Sequence, residues 1–171
     1  MTLEYRSAVD ICKAAAEKNG IGRLLDICSA VAVGYSGGAD STLLLHMLAD
    51  SLQDKKIFAI HLNHGIRGKE ADEDEAYSRE TAAALGVSFI SEKVDVPSLS
   101  AKSGDGIEEA ARKVRYDFFD RCAEKIGGNV LIATAHNSDD NLETVLFNML
   151  RGCGANGMTG IPPVRDGKYI R

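Results

Sequence analysis

Short apolar runs alternate with helical segments along most of the chain, and this alternation restricts the fold more than any other feature. The apolar runs predict buried strands at 31–35, 57–62, 87–94 and 130–134. Helical patterns between and after them predict helices at 42–52, 70–85, 107–126 and around Leu142–Met149. Because parallel strands need such crossovers, the pattern predicts an α/β fold. We expect an open, Rossmann-like parallel sheet of about five strands, with helices on both faces.

The segments outside this pattern complete the expected organisation. The apolar spacing predicts N-terminal helices at residues 3–17 and 21–29. They precede a core that occupies residues 30–171. Ser98–Gly106 is polar and contains glycine, so we expect a surface loop there. The last residues, Gly167–Arg171, predict the opening of a further strand.

Composition excludes several classes of protein. No window approaches the roughly 18 consecutive apolar residues of a membrane-spanning helix, so we expect no membrane association. Met1–Arg6 does not resemble a secretory signal, so we expect a cytoplasmic protein. The four cysteines form no C-x-x-C pair, which removes the usual support for zinc-ribbon, thioredoxin or iron–sulfur chemistry. We therefore expect free, mostly packed thiols.

Net charge gives a weaker constraint. With 25 acidic and 20 basic residues the chain carries −5, whereas nucleic-acid-binding proteins usually have a basic excess. The acidic residues are concentrated at 70–80, while residues 151–171 are mostly basic among their charged positions. The total therefore does not exclude a nucleic-acid partner.

The most specific motif is Ser36-Gly37-Gly38-Ala39-Asp40-Ser41, between the first strand and the following helix. Two glycines allow a tight turn and a close approach to an anion, and the free N–H groups of a helix start favour phosphate. Two other interpretations use the same residues. One is a plain serine-capped turn, and the other is a G-x-S-x-G hydrolase elbow with Ser36 as nucleophile. The P-loop pattern G-x-x-x-x-G-K-[ST] and the dinucleotide pattern G-x-G-x-x-G are absent at this turn.

Further segments make a family resemblance specific. Ser36–Ser41 resembles the PP-loop of the ATP pyrophosphatase superfamily (adenine nucleotide alpha hydrolase-like). In order along the chain, the other segments resemble motifs of the tRNA(Ile)-lysidine synthetases. They are His61–Arg67, Glu108–Tyr116, Ala133–Thr144, Arg151–Gly154 and Gly157–Ile161. Cys153 departs from the pattern, which has a smaller polar residue there.

The resemblance implies a two-step reaction at one site. The wobble cytidine of tRNA(Ile) with a CAU anticodon attacks the α-phosphorus of ATP and releases pyrophosphate; free lysine then displaces AMP and forms lysidine. It implies ATP and Mg²⁺ as cofactors, with Asp40 holding the Mg²⁺ that ATP carries. It also implies that residues 1–171 are the catalytic domain and that C-terminal tRNA-binding domains are absent. A homodimer is left open.

The resemblance also assigns roles to residues. The nucleotide-binding set it implies is Ser36, Gly37, Gly38, Ala39, Asp40, Ser41, Leu62, Arg112 and Arg115. The catalytic set is Asp40, Arg112, His136, Asp139 and Glu143.

Helix geometry is compatible with these roles. Arg112 and Arg115 are three apart and share one helix face, from which they could reach a phosphate. Asp139 and Glu143, four apart on one face, could hold a lysine ammonium group or a metal-bound water. His136 could assist proton transfer from the amine or contact phosphate. Ordinary interpretations remain for each: solvated arginines, acids that favour a helix N-terminus, and a capping histidine.

Three other functions use parts of the same pattern. A tRNA thiolase with a PP-loop normally carries C-x-x-C pairs, which this chain lacks. A nucleotide-binding module without turnover leaves the acids and arginines without a role. A serine hydrolase leaves Asp40 and Ser41 unexplained.

Overall fold

The computed structural model describes residues 3–153 and 159–171. Its helices are α1 (Leu3–Lys18), α2 (Ile21–Ile27), α3 (Ala39–Ser51), α4 (Lys69–Ala84), α5 (Val96–Ser103), α6 (Ile107–Ile126) and α7 (Ser138–Leu150). Its strands are β1 (Ala30–Gly34), β2 (Lys56–Asn63), β3 (Ser88–Lys93), β4 (Val130–Thr134), β5 (Val164–Arg165) and β6 (Tyr169–Ile170). The predicted helices and strands are all present, and most of their ends agree within two residues.

The strands form one sheet in the order β3-β2-β1-β4-β6-β5. All neighbours are parallel except β5 and β6, which pair antiparallel. The prediction of an open parallel sheet with helices on both faces is confirmed, with β5 as an additional antiparallel edge strand. The strand order reverses direction beside β1 and β4, and open α/β sheets bind ligands outside the carboxyl ends of strands at such a point.

Two apolar layers cover the sheet. On one face α2, α3 and α4 pack against side chains that include Val31, Val33 and Leu131, with Leu45 of α3 fully buried. On the other face α6 places Phe118 and Phe119 against Ile60 and Ile132. Near-continuous burial along β1 and β4 explains why these strands contain almost only apolar residues.

The expected surface loop at Ser98–Gly106 is wrong over most of its length, because α5 occupies Val96–Ser103. Asp95 caps this helix: its Oδ1 accepts from the Ser98 backbone N–H at 3.1 Å. Pro97 lies in the first turn, and Gly104 ends the helix in the left-handed conformation. These are ordinary helix boundaries, so the sequence contains local signals for a helix although the segment is polar and contains glycine.

The predicted apolar stripe of α7 is not covered by the described part of the chain. Leu142, Leu146 and Met149 are half exposed, and α7 contains no buried residue. None of the helices in the described ranges is long and apolar enough to cross a membrane. The four cysteines are free, as expected. Cys28 and Cys122 are buried, whereas Cys12 is exposed and Cys153 is half-buried, so only two of the four thiols are packed.

Candidate active site

The loop between β1 and α3 is organised by its own hydroxyl groups. The Ser41 hydroxyl donates to the Gly38 carbonyl at 3.0 Å and lies 3.1 Å from the Ser36 hydroxyl. The Ser36 hydroxyl accepts from the Gly38 N–H at 3.3 Å. Because these bonds fold the loop back onto the first turn of α3, the helix begins at Ala39, three residues earlier than predicted. The amide groups of that first turn are therefore placed beside the loop, as an anion site needs.

Gly37 is held closely against α4. Its φ is +83°, a left-handed conformation that side-chain-bearing residues rarely adopt. A Cβ at this position would lie 2.8 Å from the Ser78 hydroxyl oxygen. Ser78 is completely buried, and its hydroxyl has no hydrogen-bond partner in the described structure. The position therefore requires glycine because α4 leaves no room for a side chain.

A cavity of about 630 Å³ opens at the carboxyl ends of β1, β2 and β4. This volume is in the range of sites for small-molecule ligands. The predicted nucleotide-binding residues that line it are Ser36, Gly38, Ala39, Asp40, Ser41, Leu62 and Arg115. Gly37 is not among the lining residues. The lining also includes His61, His64, Arg67, Tyr116 and His136.

The two arginines of α6 are placed differently. Arg115 lines the cavity, and after burial, which is the main cause, its positive charge also lowers the pKa values of His64 and His136. Arg112 is exposed outside the lining, with its guanidinium carbon 5.9 Å from the centre of the Tyr116 ring. Arg67, also at the cavity, pairs with Asp74 at 2.9 Å.

Hydrogen bonds position His61 and His136 at the cavity. His61 Nδ1 lies 2.8 Å from the Tyr35 carbonyl oxygen, so this nitrogen carries the proton and donates it there. His136 Nδ1 lies 2.9 Å from the Thr134 hydroxyl. Burial lowers the pKa of His136, with a smaller lowering by Arg171, Arg115 and Arg112. The structure therefore favours neutral imidazoles at the cavity.

His64 gives a testable pH dependence. Its Nδ1 is buried without a partner in the described structure, and burial, with Arg115 and His61, lowers its pKa from 6.5 to about 4. The unfolded chain binds this proton near pH 6.5 and the folded chain only near pH 4. The free energy of unfolding should therefore fall as pH falls through this interval.

Urea unfolding at pH values of about 7 and 5 measures this loss, and His64→Gln should reduce it. Above pH 5 the depressed carboxylate pKa values contribute little, so the histidines dominate the interval. His61 and His136, whose pKa values burial also lowers, leave a residual slope in the variant. An unchanged slope in His64→Gln would contradict the assignment.

The acidic residues at the start of α7 differ in where they point. Asp140 lines the cavity, whereas Asp139 and Glu143 are exposed outside its lining. The Asp140 carboxylate also accepts from the Asn137 N–H at 2.9 Å, which completes a capping box. The structure therefore does not bring Asp139 and Glu143 to the cavity, and it adds Asp140, which the sequence interpretation did not select.

The polar turn after β2 is also fixed. Asn63, 2% exposed, accepts from the Gly65 N–H at 3.0 Å and donates to Asp72 at 2.9 Å. These bonds hold the segment that carries His64. Gly154, Gly157 and Met158 of the glycine-rich segment lie outside the described residues.

The chain is similar in sequence to known tRNA(Ile)-lysidine synthases. A tRNA(Ile)-lysidine synthase of Clostridium tetani is 44% identical over 144 residues, which is 82% of this chain and 30% of that protein. A tRNA(Ile)-lysidine synthase of Chlorobaculum tepidum is 44% identical over 145 residues, covering 83% of this chain and 43% of that protein. The chain thus spans less than half the length of these relatives.

A solved structure with the same fold is an NH3-dependent NAD synthetase from Campylobacter jejuni, in complex with the nitrate ion. It has a TM-score of 0.54 and 20% identity, and the match covers 88% of this chain and 59% of that one. The PP-loop domain family matches residues 14–171. This match covers most of the chain and includes the Ser36–Ser41 loop, and the chain belongs to the PP-loop domain family.

Proposed function

We propose that this chain is the catalytic domain of an enzyme that uses ATP to attach lysine to the wobble cytidine of tRNA(Ile) with a CAU anticodon. One observation carries the proposal. Segments separated widely in sequence contribute the phosphate loop, Arg115, His136 and Asp140 to a single cavity. The relatives named tRNA(Ile)-lysidine synthase support the choice of substrate.

The first step joins cytidine to AMP. The O2 atom of cytidine attacks the α-phosphorus, the bond to the β-phosphate oxygen breaks, and pyrophosphate leaves with its electron pair. The amide groups around Gly38 and Ala39 lie where they can receive this leaving group, since a helix start favours phosphate oxygens. Arg115 supplies positive charge at the same cavity.

The second step forms lysidine. The ε-amine of lysine attacks C2 of the activated cytidine, the C2–O bond breaks, and AMP leaves. The amine must lose a proton to attack, and a neutral His136 can accept it. Asp140 supplies a carboxylate for the ammonium form of lysine before that transfer. Asp139 and Glu143 would take part only from the outer surface of α7.

The residues present fit a nucleotide-bound Mg²⁺. The described part of the chain contains no group of three or more His, Cys, Asp or Glu side chains that could hold a metal ion alone. Mg²⁺ commonly needs only one or two protein carboxylates, because phosphates and water complete its shell. Asp40 lines the cavity and would supply that carboxylate, and the ion would neutralise phosphate charge.

The proposal predicts which bond of ATP is cleaved. With α-labelled ATP, lysine and a tRNA(Ile) transcript, the product should be AMP, and its formation should require both other substrates. Formation of ADP, or AMP release without tRNA, would contradict the proposal. Labelling of Ser36 by a fluorophosphonate would instead favour a hydrolase. Because the substrate is tRNA, we expect the enzyme to act in the cytoplasm.

A further inference from the structure

Asn137 joins two elements that are far apart in sequence. Its side-chain oxygen accepts from the Asp139 and Asp140 backbone N–H groups at 2.9 and 3.0 Å, which caps α7. Its side-chain nitrogen donates to Asp40 Oδ2 at 3.1 Å, across 97 positions of sequence. The same amide group therefore starts α7 and contacts the carboxylate of the phosphate loop.

The contact matters because α7 packs weakly on the rest of the described chain (residues 3–153 and 159–171). None of its residues is buried, and its apolar stripe is exposed. A second hydrogen bond lies one helical turn further along α7, where the Ile161 N–H donates to Asn141 Oδ1 at 2.7 Å. Side-chain hydrogen bonds, rather than apolar packing, thus hold the start of α7 beside the cavity.

The contact also constrains Asp40. A carboxylate in the first turn of α3 would repel phosphate if it turned toward the bound anion. The Asn137 amide occupies Oδ2, while Oδ1 makes no hydrogen bond within the described ranges. One oxygen is therefore held by α7 and the other stays available to a cation.

We propose that Asn137 is a positioning residue for ATP, which acts by holding the Asp40 carboxylate in the orientation that accepts nucleotide phosphates with their cation. The inference rests on the proposed function in that it takes ATP as the ligand of the phosphate loop. The two roles of Asn137 can be separated, because a cap needs only an acceptor, whereas the bond to Asp40 needs the donor.

Asn137→Ser separates these roles. Serine is a good N-cap acceptor, so α7 should still start at the same residue, but its shorter side chain no longer places a donor group at the position of the Asn137 side-chain nitrogen, against Asp40. We expect the dissociation constant of Mg·ATP, measured by calorimetry on the full chain, to rise about tenfold. Asn137→Asp also keeps an acceptor but places a second carboxylate beside Asp40. The dissociation constant of Mg·ATP should therefore rise in this variant too.

Asn129→Ser is the matched control. Asn129 donates across 102 positions to the Ile27 carbonyl at 3.2 Å. It directly precedes β4, so it lies at the amino end of that strand, away from the cavity at the carboxyl ends. The same substitution there removes a comparable long-range bond, and ATP binding should stay within about twofold of wild type. Equal weakening in both variants would mean a general structural effect and would overturn the inference.

A double-mutant cycle tests whether Asn137 acts through Asp40. In an Asp40→Ala background, Asn137→Ser should have almost no further effect on ATP binding. Independent, additive effects would overturn the inference. Because binding is measured without turnover, wild-type binding without lysidine formation would contradict only the proposed function. No Mg·ATP binding by the wild-type chain would overturn both.

Discussion

Gly37→Ala should abolish ATP-dependent turnover, with a loss of roughly 100-fold or more, as expected when a substrate-positioning loop shifts by about 1 Å. Two physical effects combine at this residue. The φ of +83° is strained for alanine, and the new Cβ would lie 2.8 Å from the buried Ser78 hydroxyl. The loop has to move away from α4, and the hydroxyl network of Ser36 and Ser41 has to move with it. Steady-state release of AMP measures the loss.

Gly86→Ala is the matched control for backbone strain. Gly86 has a φ of +68°, but nothing lies within 4 Å of a Cβ placed there. Both variants should lose about 1 kcal/mol of unfolding free energy from strain, while only Gly37→Ala loses turnover. Adding Ser78→Ala, which removes the opposing oxygen, should restore part of the activity. Normal turnover in Gly37→Ala would contradict the close packing of loop and helix.

Asp140→Asn should raise the KM for lysine by about tenfold or more, because it removes the carboxylate that α7 presents to the cavity. Asp139→Asn makes the same chemical change at the neighbouring residue, which lies outside the cavity lining. Each variant removes one negative charge from the first turn of α7, so the effect on the helix dipole is matched. Initial rates at varied lysine, with saturating ATP and tRNA, compare them.

The comparison distinguishes two assignments of the amine site. If Asp139 and Glu143 hold the ammonium group, as their spacing on one helix face suggests, Asp139→Asn should be the more damaging change. If Asp140 holds it, Asp139→Asn should shift the KM by less than about threefold. A wild-type KM for lysine in both variants would contradict a role for either residue in binding lysine.

The acidic residues at the start of α7 show what the local sequence pattern does not determine. The position of the acidic cluster after β4 follows from the alternation of strands and helices, and the structure places it at the expected edge of the sheet. Which of two adjacent carboxylates faces the cavity depends on how α7 is rotated about its axis. That rotation is determined by tertiary bonds such as Asn137 to Asp40, which the local pattern does not contain.

Gly37 and α5 give two further cases. A glycine at position 37 was expected for close approach to an anion, but the structure places Ser78 of α4 against it, a contact between distant segments. The helix α5 was missed although Asp95, Pro97 and Gly104 are all local boundary signals. The buried strands were predicted well because near-continuous apolar runs directly reflect burial on both faces.

Nucleoside mass spectrometry of the tRNA(Ile) anticodon tests the central claim most directly. After incubation with the chain, Mg·ATP and lysine, the wobble cytidine should carry a lysine at C2, one modification for each AMP released. If the cytidine stayed unmodified while ATP was bound and cleaved to ADP instead of AMP, that result would contradict the account.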